Sequence, residues 1–213
     1  MKKVGVIGAT GKSGSLIVKE LVENNFDVTA IVRNIDKAKH LHVAILHKDL
    51  FELGYDDIKD FDVVINAFNA PIGEEALHQS NLQHLSDILK DQPAPQLYML
   101  GGAGSLFLDD SRSKRVVELE GLPPFIIPTA QNEVKAYDKL VTRNDFNWIY
   151  FCPPLNLDPE GETTGKFMVS GDILTMDLKG NSYISYGDYA KGVVDVLLNQ
   201  PGTNHTTISI VGQ

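Results

Sequence analysis

The sequence predicts an α/β fold, a doubly wound parallel sheet of the Rossmann type. It is expected to form a single domain over residues 1–213, with a small irregular substrate-side cover at 153–182. Three observations predict it. An apolar run, Val4–Ile7, leads into Gly8, Gly11 and Gly14 at G-x-x-G-x-x-G spacing, and a helical pattern follows at once. Strand-like and helix-like stretches then alternate along the chain, as in a parallel sheet covered on both faces. The 213 residues, 43% of them hydrophobic, suit one domain with an ordinary core.

The first strand is expected at Lys3–Ile7. The three glycines after it answer three needs: a tight turn, close approach of backbone to a pyrophosphate, and close helix–sheet packing. The next helix puts Leu16, Ile17, Leu21 and Val22 on one face. Its free N–H groups and positive dipole end would face phosphate. A strand before and a helix after supply the context a dinucleotide turn requires. Gly11–Lys12–Ser13 also suggests a mononucleotide P-loop, but the glycine that motif needs five positions earlier is Val6. Lys12 is therefore read as a basic residue near cofactor phosphate or ribose.

Further strands are expected at Asp27–Val32, His42–His47, Asp62–Asn66, Gln96–Leu100, Trp148–Cys152 and Thr206–Val211. A helix over Glu74–Asp91 carries Leu77, Leu82, Leu85, Ile88 and Leu89 at three- and four-residue steps, and Pro93 and Pro95 close it. Another runs from Asn132 to Arg143 with Val134, Tyr137, Leu140 and Val141 on one face; a third spans Asp188–Asn199, before Pro201–Gly202. Residues 153–182 are rich in Pro, Gly, Asp and Thr and read as irregular cover, with short strand pieces such as Lys166–Val169. Loops of that length are often binding loops.

Composition excludes several classes. A net charge of −9 argues against a nucleic-acid surface, which draws on clustered Lys and Arg. Arg112, Lys114 and Arg115 form the one dense basic cluster, read as a solvated loop beside Asp109 and Asp110. No apolar stretch approaches the roughly 20 residues of a membrane span. No signal peptide is expected, because the first apolar run ends in glycines. A single cysteine, Cys152, excludes an internal disulfide and fits a cytoplasmic location. The six histidines lack the spacing of a zinc site, so no metal is expected. They are read as solvated or locally bonded. No Gly-x-Ser-x-Gly elbow supports hydrolase chemistry.

In open α/β sheets ligands bind beyond the carboxyl ends of the strands. The second strand ends at Val32–Arg33–Asn34. An NAD-preferring site would place Asp or Glu here for the ribose 2′-OH, whereas an arginine fork grips a 2′-phosphate in two places. Arg33, with Lys37 one turn later, predicts NADP(H) over NAD(H). After the third strand, Asp49 and Leu50 either border the adenine or Asp49 serves as a helix N-cap. After the fourth, Ala67 and Phe68 lie where small residues would let ribose and pyrophosphate pass. The fifth ends in Gly101–Gly102–Ala103–Gly104–Ser105 at the nicotinamide end, and the sixth in Cys152–Pro153–Pro154, either a wall beside a flat ring or simply a rigid strand exit.

These blocks, with Thr164–Phe167 and Ile184–Ala190, occur in the order seen in atypical short-chain dehydrogenase/reductases. The whole chain resembles the compact NAD(P)H-binding branch that includes biliverdin-IXβ/flavin reductase and the NmrA-like proteins. The resemblance implies that Gly8, Thr10, Gly11, Lys12 and Ser13 line the pyrophosphate and that Arg33 meets the 2′-phosphate. It also implies that Gly101, Gly102 and Cys152–Pro154 border the nicotinamide. Ordinary members carry Tyr-x-x-x-Lys, in which lysine lowers the tyrosine pKa for proton transfer. Here Tyr137 is followed four residues later by Val141, and Lys135 and Lys139 point away from it. Tyr137 is read as core and the two lysines as solvated. The flavin-reductase relatives carry a histidine after the prolyl pair, where this chain has Leu155. Ser105, at the family's active-site serine, is left as the hydroxyl that would orient an acceptor oxygen, with water supplying the proton.

The expected activity is an NADPH-dependent reductase passing hydride to a small conjugated acceptor such as a flavin, quinone or carbonyl compound. The alternative is a non-catalytic NAD(P)-binding redox sensor of the NmrA-like type. An isomerase or epimerase is disfavoured by the missing Tyr/Lys pair and the chain length. A monomer or a homodimer is expected, with no nucleic-acid or membrane partner.

Overall fold

The computed structural model describes residues 1–213. Seven strands build the parallel part of the sheet: β1 (Lys3–Ile7), β2 (Asp27–Val32), β3 (Ala44–His47), β4 (Val63–Asn66), β5 (Gln96–Leu100), β6 (Trp148–Cys152) and, last in the chain, β10 (Thr206–Gly212), which pairs with β6. Between β6 and β10 lie β7 (Asn156–Asp158), β8 (Phe167–Ser170) and β9 (Tyr183–Ser185). The helices are α1 (Lys12–Glu23), α2 (Tyr55–Ile58), α3 (Leu77–Ile88), α4 (Ile127–Leu140) and α5 (Tyr186–Asn199). The eight-stranded sheet runs β3-β2-β1-β4-β5-β6-β10-β8. β1 pairs with both β2 and β4, so strand order reverses there and the chain leaves a crevice at the carboxyl ends.

The sheet divides the core in two. On one face, Ile17, Val18 and Leu21 of α1 and Val193, Val194 and Leu197 of α5 cover Val4, Val6 and Ile208. On the other, Leu82 and Leu85 of α3 and Ala136, Tyr137 and Leu140 of α4 cover Val64, Leu97, Met99 and Tyr150. Burial on both faces is what the near-continuous apolar strands require. Tyr137 belongs to this core, its hydroxyl bonded to Thr207 Oγ1 at 2.8 Å.

The structure corrects several expectations. Residues 153–182 are more regular than expected. β8 pairs antiparallel with β10 and edges the main sheet, which is therefore only mostly parallel, and β7 and β9 form a two-stranded sheet. The third strand starts at Ala44 rather than His42, because His42 takes a left-handed φ of 52° after a 3-10 turn. The helix expected from Glu74 starts at Leu77, after a turn in which Glu74 N–H donates to the Pro71 carbonyl. α4 starts five residues earlier than expected, with Pro128 in its first turn, where proline costs no helical bond. α5 starts at Tyr186 because Ser185 caps it, accepting from the Asp188 N–H. Val22 and Val141 are exposed rather than packed.

The basic loop is not simply solvated. Arg112 grips Asp172 through two bonds of 3.0 and 3.1 Å. Arg115 pairs with Asp138 and lies over the Phe107 and Tyr137 rings.

Candidate active site

Each glycine of the first turn does a separate job. Gly8 has φ of +72°, a region that side chains rarely adopt, and a Cβ there would lie 2.6 Å from the Ala67 carbonyl oxygen. A Cβ on Gly14 would collide with the Gly8 carbonyl, so its bareness lets α1 close on β1. Gly11 meets only the Gly8 oxygen, at 3.2 Å, and is otherwise open to a ligand. No side chain caps α1 and no acidic residue sits in its first turn. The first helical bond runs from Ser15 N–H to the Gly11 carbonyl. The N–H groups of Lys12, Ser13 and Gly14 therefore lie free within the backbone at the positive end of the helix dipole. Thr10, Gly11 and Lys12 are exposed and Ser13 is half-buried. This cradle fits a pyrophosphate.

The end of β2 carries Arg33, whose side chain is 75% exposed and whose Nε lies 3.6 Å from Asp49 Oδ2. Asn34 Oδ1 accepts from Lys37 N–H, closing the turn beside it. Asp49 is a helix N-cap: Oδ1 accepts from Phe51 N–H at 2.9 Å, and Glu52 reaches back to Asp49 N–H. Leu50 is buried beneath that cap. Of the two roles weighed for Asp49, capping is the one the contacts display.

Ala67 and Phe68 follow β4 and are half-buried, with Phe68 N–H held by Asn66 Oδ1 at 3.1 Å. The Phe68 ring packs edge-on against His78, centroids 6.1 Å apart. At the end of β5, a side chain on Gly101 would collide with Tyr150 and one on Gly102 with Glu133. Ser105 is 1% exposed and its Oγ lies 3.4 Å from the Tyr150 hydroxyl. The hydroxyl expected to face an acceptor is thus covered and faces Tyr150. Cys152 is wholly buried, and burial pushes its thiol well above the ordinary range. Pro153 and Pro154 are buried as well, so this segment backs the site rather than opening onto it.

Two more residues stand at the same edge: Glu133, which the sequence did not single out, and His78, expected with the other histidines to be solvated or locally bonded but in fact buried with one ring nitrogen unpartnered. His78, in the first turn of α3, is 2% exposed and its Nε2 has no hydrogen-bond partner. Glu133, in the second turn of α4, has a side chain 17% exposed and an Oε1 3.9 Å from His78 Nδ1, beyond hydrogen-bond reach. Burial raises the Glu133 carboxyl to about 7 and lowers the His78 imidazole, so both favour the neutral form. Their signal was in the sequence. His78 falls on the helical face of Leu82, Leu85 and Leu89, and Glu133 on that of Ala136, Tyr137 and Leu140. A polar group on an apolar stripe marks a buried polar site.

A family model described as NAD(P)H-binding matches residues 8–200. A Bacillus subtilis protein, the uncharacterized YwnB, is 43% identical over 195 residues, 92% of each chain. The chain belongs to the NAD(P)H-binding family of atypical short-chain dehydrogenase/reductases. The structure of SP1627 from Streptococcus pneumoniae, provisionally named an NADH-flavin reductase, is similar over the whole of both chains, with 36% identity and a TM-score of 0.94. A provisionally named epimerase from Bacteroides thetaiotaomicron is 30% identical with a TM-score of 0.86, over 99% of this chain and 97% of that one. An Escherichia coli anaerobilin reductase, at 16% identity and a TM-score of 0.71, shares the fold over 99% of this chain and 97% of its own.

Proposed function

We propose that this NAD(P)H-binding protein is an NADPH-dependent reductase acting on a small conjugated acceptor such as a flavin, a quinone or another carbonyl compound. The observation that carries the reading is the meeting, at one sheet edge, of an uncapped helix start with the bare strand end at Gly101–Gly102. The first fits a pyrophosphate; at the second, Tyr150 and Glu133 fill the space the glycines leave and would border a flat ring. Gly8, Thr10, Gly11, Lys12 and Ser13 would hold the pyrophosphate, with Ala67 and Phe68 beside it. Arg33 and Asn34 would take the 2′-phosphate, with Asp49 and Leu50 at the adenine side. Gly101 and Gly102 would border the nicotinamide, backed by Cys152, Pro153 and Pro154. When bound, the nicotinamide supplies the hydride.

Arg33 supports NADPH over NADH, because a carboxylate in its place would repel the 2′-phosphate. SP1627, by contrast, is named for NADH. Ser105 anchors the Tyr150 hydroxyl and through it the shape of the nicotinamide end. Residues 153–182 would cover the acceptor side.

One observation favours the redox-sensor reading: Tyr137 is fixed in the core against Thr207 and has no lysine partner. Steady oxidation of NADPH with FMN or 1,4-naphthoquinone decides between the two. A reductase turns over; a sensor binds the dinucleotide and stays inert with every acceptor.

A further inference from the structure

We propose that Glu133 is the proton donor of this site, serving the oxygen of a conjugated carbonyl acceptor seated over Gly102. The inference rests on the reductase reading and adds to it the missing proton. Three observations place Glu133 there. It stands in the second turn of α4, at the carboxyl edge of the sheet, where the ligand crevice opens. Its carboxyl occupies the space that a side chain on Gly102 would need. No cation pairs with it and no hydrogen bond holds it, so the proton is not committed elsewhere.

The groups facing Glu133 agree with that role. His78 from α3 is buried and kept neutral. Tyr150 and Cys152 from β6 and Tyr189 from α5 are all raised by burial and stay protonated. Arg115, from the loop between β5 and α4, is engaged with Asp138. With nothing to stabilise the carboxylate, the acid form persists to about pH 7. The small exposed part of the side chain gives water access to restore the proton.

The step balances simply. Hydride adds to the conjugated carbon of the acceptor, and the electron pair moves onto the carbonyl oxygen. Glu133 gives its proton to that oxygen and leaves as carboxylate, then takes a proton from water. Overall, NADPH, one proton and the acceptor give NADP+ and the reduced acceptor. The oriented acid contributes typically ~10²–10⁴-fold in rate.

The test has two arms on the full chain. Infrared difference titration of the protonated carboxyl band, without ligand, compares wild type with Glu133→Gln. The expected result is a band lost near pH 7 in the wild type and absent from the variant; loss in the ordinary carboxylate range overturns the proposal. Single-turnover oxidation of bound NADPH by 1,4-naphthoquinone, 2-cyclohexenone and FMN is then followed from pH 5 to 9. The wild-type rate with the two carbonyl acceptors should fall above about pH 7. Glu133→Gln should be ~100-fold slower and flat across that range, and Glu133→Asp should restore part of the rate and the slope. Unchanged NADPH affinity shows that the variants keep the site. Wild-type turnover with the same rate and profile in Glu133→Gln overturns the proposal alone. NADPH binding with no turnover of any acceptor by the wild type overturns it together with the reductase reading.

Discussion

At the end of β2 the charge that a cofactor meets is set by two residues, Arg33 and Asp49. The guanidinium is largely exposed and only 3.6 Å from the carboxylate. A 2′-phosphate would take the arginine and be repelled by the aspartate. Hydrogen bonds to charged groups are worth about 1.5–3 kcal/mol. Arg33→Ala should therefore weaken NADPH binding by ~10–100-fold and leave NADH nearly untouched. Asp49→Asn keeps the capping oxygen and removes the charge, and should tighten NADPH binding several-fold. Fluorescence titration of both dinucleotides reads both effects.

Glu133 also leaves a mark on stability. Unfolded, its carboxyl ionises near 4.5; folded, it keeps its proton to about 7. A folded pKa above the unfolded one gives stability that is complete below 4.5 and lost as the pH rises through 7. Glu133→Gln has no such loss. Its melting temperature should rise relative to wild type between pH 5 and pH 8, by the equivalent of about 1–3 kcal/mol. His78 works in the opposite direction: its depressed pKa costs stability as the pH falls below 6.5, equally in both proteins. Parallel melting curves at every pH would contradict the buried-acid account. Ser105→Ala should slow turnover by about tenfold, the worth of one neutral hydrogen bond, with NADPH affinity unchanged in the same titration.

Among the elements, the closure of α1 onto β1 depends on Gly14. A methyl there has no room against the Gly8 carbonyl, and the obstacle is backbone rather than a side chain that could swing away. Gly14→Ala should cost about 1–3 kcal/mol or more in denaturant unfolding and impair dinucleotide binding as the turn shifts. This element was legible from its glycines because each spacing has its own steric reason. So were the buried strands, whose apolar runs need two covered faces. What could not be read locally came from partners distant in sequence. The strand piece at Lys166–Val169 was legible but its place was not: β10 offers it an antiparallel edge, Val169 pairing with Ile210 and Met168 with Val211. Arg112 is ordered by Asp172, 60 residues away. The cluster of Ser105, Tyr150, His78 and Glu133 draws on the turn after β5, on β6, α3 and α4. Helical periodicity marked the polar residues on the two apolar faces, but only the fold brings those faces to one edge.

For the whole molecule, the strand order and the crevice between β1 and β4 place every proposed cofactor group along one sheet edge. The phosphate end lies at α1 and the nicotinamide end at β5. The buried acid sits beyond the latter, so that the cofactor's length would run from Arg33 to Gly102. The most direct measurement is a side-by-side titration of NADPH and NADH on the wild type and Arg33→Ala. The account predicts tight NADPH binding by the wild type, weaker NADH binding, and loss of that difference in the variant. Binding of neither dinucleotide would contradict the site itself, and an NADPH preference that survives in Arg33→Ala would contradict its orientation.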